Sequence, residues 1–201
     1  MLMIELAMYE PLAGGGLVCC GVVFVLVLIV AIWFIGTYNV LVRLRNACSE
    51  SWSGIDTELK RRYDLIPNLV NTVKGYAAHE RETLERVVAA RQAAAANRGE
   101  VGSQAHDENT LAREMRQLFA VVEAYPDLKA DQHFLELQRE LVRTEDRIQR
   151  IRRFYNANVR DMNNRVEMFP SSLVAGMFGF KLHQYFEVDE AVVRQAPQVS
   201  L

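Results

Sequence analysis

From Leu17 to Ile35 the chain reads LVCCGVVFVLVLIVAIWFI, 19 residues without a strongly polar side chain. As a helix at about 1.5 Å per residue this covers roughly 28 Å, close to the hydrocarbon thickness of a bilayer. A transmembrane helix is therefore predicted over residues 17–37. After it, apolar residues recur at alternating steps of three and four, the rhythm of helices that bury one face. Four such stripes follow. The first holds Leu41, Leu44, Cys48, Trp52, Ile55, Leu59, Tyr63 and Ile66, and the second runs from Leu69 through Val73, Tyr76, Leu84 and Val88 to the alanines at 93–96. A shorter third carries Leu111, Met115, Leu118, Val122 and Tyr125. The fourth, Phe134 to Phe169, is the longest and most regular.

Pro67 and Pro126 each remove a backbone donor and push the preceding residue out of helical geometry, so both are read as breaks; at DLIPN a tight turn is favoured over a kink in a continuous helix. Asp64 and Asp127 stand where a side-chain oxygen can cap nearby amides. The polar, glycine-containing NRGEVGSQAHDEN is expected to be a loop. No stretch alternates with a period of two. The fold class is thus all-α: a single N-terminal transmembrane helix followed by an antiparallel long-helix bundle with coiled-coil-like seams. The expected boundaries are a short N-terminal segment at 1–16, the transmembrane helix at 17–37, a cytoplasmic bundle at 38–169, and an amphipathic segment with tail at 170–201. In that last part Ser171 or Ser172 is expected to cap a short helix. Leu173, Val174, Met177 and Phe178 form its apolar side, either in contact with the membrane interface or covering the end of the bundle.

Charge orients the anchor. No Lys or Arg precedes the span, which excludes the basic n-region of a cleaved signal, whereas Arg43 and Arg45 follow it directly. The expected placement is in a membrane with the N-terminus outside and the bundle in the cytoplasm. All 23 Lys and Arg lie after residue 36 together with 23 of the 25 acidic residues, so the bundle has no formal net charge and no basic face for nucleic acid. Its charges sit at helical spacing. Asp56 with Lys60, Glu58 with Arg62, Lys60 with Asp64 and Glu82 with Arg86 are i,i+4 pairs of a solvated surface.

Candidate chemistry is scarce. His79–Glu80 lacks the second histidine of a zinc protease helix, since Thr83 stands one turn on. His106 falls in the expected loop, and His133 and His183 are far off in sequence, so no metal-ligand spacing emerges. Gly14, Gly15 and Gly16 lack the Lys and Ser or Thr of a phosphate loop. No catalytic residue, cofactor or metal is expected. Glu80, Thr144 and Asn158 interrupt the stripes, and such polar residues in a bundle fix register; for Thr144 an exposed edge of the stripe is the favoured reading.

The stretch IDTELKRRYDLIPNLVNTVKGYAAHERE, with EAYPDLKADQHFLELQRELVRTEDRI, RRFYNANVRDMNNRVEMFPSSLVAGMFGF and the later YFE, resembles the LemA family of bacterial membrane proteins, in order from Tyr38 to Glu187. The resemblance implies one anchor and a helical bundle, and it carries no catalytic residues across. A relative among the proteins of magnetosome membranes hints at membrane organisation. In the opening stretch Asp56, Arg61, Arg62, Asp64, Pro67 and Asn68 are read as a structural motif. The functional expectation is a membrane-anchored scaffold or adaptor whose partners are the lipid bilayer, other copies of itself and other membrane proteins. The rivals are a sensor bundle and a hydrolase with a dispersed site. Self-association is expected through Tyr155, Val159 and Met162, on the part of the fourth helix that outruns its third neighbour.

Overall fold

A computed structural model describes residues 20–187 with their side chains and residues 2–19 as helical backbone. The side chains of the expected 1–16 segment, including Gly14–Gly16, and the tail from residue 188 lie outside the described residues. The elements are α1 (Leu2–Tyr76), α2 (Arg81–Ala96), α3 (Val101–Val122), α4 (Pro126–Ala130), α5 (Gln132–Glu167) and α6 (Ser171–Phe178). No strand occurs among the described residues. The fold is all-α, and α1 is long and apolar enough to cross a membrane.

Two compact units divide the chain: Met1–Arg43 with Asn164–Lys181, and Leu44–Asn163 with Leu182–Leu201. In the first, the apolar run of α1 points its side chains outward, Phe24 being 63% and Ile32 70% exposed. The same unit buries Thr37, Leu41, Ser171, Val174 and Ala175. The Phe178 ring lies 5.8 Å from that of Phe34 and 4.6 Å from that of Tyr38, which seats α6 where the apolar run ends.

The second unit is a helical bundle. Cys48, Ile55, Leu59, Tyr63, Ile66, Val70 and Val73 of α1 form one side of its core, opposite Leu84 and Val87 of α2, Leu111 and Leu118 of α3, and the long stripe of α5. Polar contacts set the directions. Along α1 and α5, Arg61 meets Glu140, Glu58 meets Arg147 and Ser51 meets Asn158, so the two run antiparallel. Along α2 and α3, Arg86 meets Glu114 and Gln117 while the Ala94 carbonyl meets Gln104, again antiparallel.

Several expectations need correction. Pro67 does not turn the chain but lies inside α1, which continues to Tyr76. The reversal comes at Ala77–Glu80, where neither proline nor glycine marks it. A proline in a helix leaves the carbonyl four residues earlier without its donor. Here that carbonyl belongs to Tyr63, and Arg91 of α2 donates its Nε–H to it at 2.7 Å. The missing bond is replaced from a neighbouring helix, so α1 continues. Asp64 therefore caps nothing and is exposed mid-helix. Nor does Asp127 make a cap bond; the cap at the start of α5 is Asp131, whose Oδ1 accepts the Phe134 amide at 2.8 Å. That bond, with the Tyr76 hydroxyl, holds the Asp131 carboxyl below its ordinary range.

The expected loop at 97–109 is the second correction, because α3 begins at Val101 and takes in His106. Its inward positions there are Gln104, Ala105 and Glu108, so polar side chains hid the stripe. The third concerns α5. Tyr155, Val159 and Met162 are 2%, 0% and 0% exposed, which makes them core residues and removes them as a surface for self-association. Phe134, Leu141, Ile148, Tyr155 and Met162 recur every seven residues, all buried. Thr144 is buried too, not on an exposed edge, and its hydroxyl donates to the Glu140 carbonyl at 2.9 Å. At α6, Pro170 occupies the cap position and the Ser171 hydroxyl bonds back to the Met168 carbonyl, so neither serine caps the helix.

Exchanging Arg91 for Met should orphan the Tyr63 carbonyl and cost about 1–3 kcal/mol in chemical denaturation of the full chain. In a Pro67→Ala background the backbone supplies the donor again. There the same exchange should cost less than half as much, and an equal cost in both backgrounds would refute this role of Arg91.

Candidate functional site

The densest convergence of polar side chains lies inside the bundle, and it starts from KRRYD on α1. Successive residues of a helix point about 100° apart, so this run serves several neighbours. Lys60 stays on the surface with Asp56 at 2.6 Å, and Arg61 reaches Glu140 of α5 at 2.9 Å. Arg62 turns inward, away from the expected Glu58. Its guanidinium pairs with Glu108 of α3 and with Glu145 of α5 at 2.7 Å. Tyr63 donates its hydroxyl to Glu108, and Gln104 donates to both the Tyr63 oxygen, at 3.0 Å, and Glu108, at 3.1 Å. Glu108 is 1% exposed. A carboxylate so deep is tolerated only where donors replace its lost hydration. It has three.

Beside this cluster a cleft of about 270 Å³ is lined by Asp56, Lys60, Tyr63, Arg91, Arg98 and Gln104, among others. Of these, Lys60 is held by Asp56, Arg91 by the Tyr63 carbonyl, and Arg98 by the carbonyls of Ala95 and Asn97. Burial pushes the Tyr63 phenol up to about 12, so at neutral pH it is a hydrogen-bond donor and no base. Cys48 is buried and its thiol pushed up by that burial, which makes it a poor nucleophile. No group of three or more His, Cys, Asp or Glu suited to a metal occurs among the described residues. What the cluster does is join α1, α3 and α5 at one level.

Of the motif read in the opening stretch, Arg62 lies in the cluster, and Asp56 and Asp64 line the cleft. Arg61 ties α1 to α5, Pro67 exposes the carbonyl that Arg91 takes, and Asn68 is exposed, its carbonyl accepting from Thr72. Among the i,i+4 pairs, Asp56–Lys60 and Glu82–Arg86 form, at 2.6 and 2.7 Å. Lys60 thus serves Asp56, and Glu58 is met by Arg147 at 3.6 Å.

A second set of polar contacts, on α5, escaped sequence reasoning. Asn156 accepts the Phe186 amide at 2.9 Å and donates to the Phe186 carbonyl at 3.2 Å. Seven residues on, Asn163 does the same to His183, at 2.9 and 3.0 Å. Two helical turns rise about 10.5 Å and three extended residues cover roughly 10 Å, so the spacings match. Each asparagine mimics the edge of a sheet, and the segment at 182–187 is bound without a strand. Tyr155 adds its hydroxyl to the Gln184 carbonyl at 2.9 Å, and Phe186, 1% exposed, meets the Trp52 ring at 5.4 Å. The only signal in the sequence is the pair of asparagines one heptad apart in NANVRDMNN. Asn158, between them, donates to the Ala47 carbonyl and to Ser51 of α1. Glu80 accepts from the Tyr125 hydroxyl at 3.4 Å.

These features define a class: an all-α protein with one apolar helix fit to span a membrane and a bundle held by buried polar contacts. A model of the LemA family matches residues 51–201, and the chain belongs to that family. It is similar to the protein LemA of Metamycoplasma hominis, at 25% identity over 163 residues covering 80% of this chain and 74% of that one. It is also similar to the magnetosome protein MamQ 2 of Paramagnetospirillum magneticum, at 25% identity over 75% of this chain and 64% of that one. MamQ of Magnetospirillum gryphiswaldense is 24% identical over 74% of this chain. The match spans 64% of the MamQ proteins' own length. Neither the polar cluster nor these names indicate a catalytic activity.

Removing one member of the buried cluster should be far worse than removing both. Glu108→Met leaves the buried Arg62 guanidinium with Glu145 as its one remaining carboxylate and should cost up to about 3–5 kcal/mol, while the Arg62→Met/Glu108→Met double variant should recover at least half of that. Denaturation of the three proteins in detergent checks it.

A pH effect is expected at the bound segment. Burial, and then the charge of Arg45, hold the His183 imidazole below its ordinary 6.5. The unfolded chain then binds the extra proton more readily than the folded one, so stability is complete above about 6.5 and falls as pH drops through and below that value. Trp52 fluorescence, which senses Phe186, should report earlier unfolding at pH 5.5 than at 7.5. Replacement by glutamine, His183→Gln, should reduce that difference.

Proposed function

We propose that this protein is a membrane-anchored helical scaffold, inserted with its N-terminus outside the cytoplasm and its bundle inside, that gathers copies of itself or partner proteins in the plane of the membrane. The observation that carries this reading is the contrast between its two kinds of surface. Inside the bundle the buried charges of Arg62 and Glu108 face each other, whereas the apolar residues 22–30 of α1 are all open. A helix of that kind is stable in lipid, where its backbone is satisfied internally and its side chains meet acyl chains. Confinement to a plane raises the local concentration of everything attached to it. The Arg43 and Arg45 pair after the apolar run supports the orientation.

With the α5 residues in the core, self-association falls to the apolar run of α1, where Gly21 and Gly36 have open space around them. Small residues there permit close approach of helices. Single cysteines placed from Val22 to Ile35, with the native cysteines replaced, should crosslink in native membranes at positions recurring every three to four residues. Only monomer at every position, at native expression, would defeat self-association by this route. An impermeant reagent should label a cysteine at Glu5→Cys and spare one at Asn97→Cys in intact cells; the reverse would invert the topology.

A further inference from the structure

The short helix α6 has no charged residue in SSLVAGMF and is apolar on both sides. Ser171, Val174 and Ala175 are buried. On the opposite side Leu173 and Met177, spaced by four, are 59% and 72% exposed, and Phe169, in the turn before the helix, is 78% exposed. Of the four residues expected to form its apolar side, Val174 is thus core, while Leu173, Met177 and Phe178 are exposed. Such a stripe in water is unfavourable and marks a surface with an occupant.

We propose that the occupant is lipid: α6 lies in the boundary between headgroups and acyl chains of the bilayer that α1 enters, with Phe169, Leu173 and Met177 immersed. This rests on the reading of α1 as a membrane anchor. Three observations select lipid over a protein partner. The Phe178 ring packs at a tilt against Phe34 and Tyr38, and Phe180 meets Tyr38 at 5.9 Å, so α6 sits at the level where the apolar run of α1 gives way to Gly36, Thr37 and Tyr38. The exposed Leu173 and Met177 belong to the same compact unit as the exposed Ile32, Trp33 and Ile35 at that end of the run. Aromatic rings gather at this depth in membrane proteins. Finally, Lys181, three residues beyond the end of α6, is exposed, placed to carry its ammonium to the phosphate level while its stem stays in the apolar layer. A helix lying in the interface beside a spanning one limits the tilt and rotation that the spanning helix is otherwise free to adopt. The chain then meets the membrane at two points, α1 and α6.

The test uses the full chain, free of native cysteines, in vesicles of phosphatidylcholine with phosphatidylglycerol. Nitroxide labels go to Leu173→Cys and Met177→Cys, with Val27→Cys in the anchor and Phe154→Cys, exposed on α5, as references. Power saturation compares collision with oxygen, which partitions into lipid, and with a water-soluble nickel chelate. The oxygen-to-nickel ratio at Leu173→Cys and Met177→Cys should be several-fold above that at Phe154→Cys and below that at Val27→Cys. Ratios equal to Phe154→Cys, with Val27→Cys still in lipid, would overturn the placement of α6 and leave the anchor standing. An aqueous Val27→Cys would remove the anchor and α6's placement with it. Shielding of both α6 labels from both reagents, with spectral broadening relieved by unlabelled protein, would show a second copy on this face and equally overturn the proposal.

Discussion

The donation from Arg91 to the Tyr63 carbonyl is the bond on which the arrangement of the bundle depends. A proline inside a helix costs about 3 kcal/mol or more, partly through the acceptor it orphans. By supplying that acceptor with a charged donor from α2, the fold keeps α1 helical for ten residues past Ile66, to Tyr76. The reversal is thereby moved to Ala77, α2 is shortened to Arg81–Ala96, and the side chains of α2 are brought into line with α3. Arg91 also fixes how α2 lies against α1, because its fork has to meet one particular carbonyl.

A second constraint is the charge buried on Glu108. Helices α1 and α3 must be in correct register before Arg62, Tyr63 and Gln104 can converge on one carboxylate, and α5 joins them through Glu145 on the same Arg62; a slip by one turn would leave Glu108 without its partners on α1. Apolar packing tolerates such slips more readily than a buried ion does. The asparagines of α5 add a third condition of the same kind. Asn156 and Asn163 bind the backbone of 183–186 only because two turns of helix and three extended residues have nearly the same length. Polar specificity is thus spent on architecture throughout the bundle. This agrees with membership of a family whose match to this chain runs through the same residues, 51–201.

The sequence by itself determined the helical class, the apolar run and the long stripe of α5, because each is written as a period in side-chain polarity and needs no partner to be read. Hydrophobic spacing placed α5 to two residues at either end, and the i,i+4 pairs Asp56–Lys60 and Glu82–Arg86 were legible for the same local reason. Only the tertiary structure decided the rest. Pro67 reads as a break until a donor 24 residues away is in place. The first turns of α3 read as a loop because their inward residues are polar, and their partners lie on α1. Tyr155, Val159 and Met162 looked free while the segment at 182–187 was read as part of a separate tail; the backbone of that segment is held by α5's own asparagines. In each case the deciding contact joins residues distant in the chain. Local pattern carries which faces are apolar, and it does not carry which remote group satisfies a stranded carbonyl, carboxylate or amide.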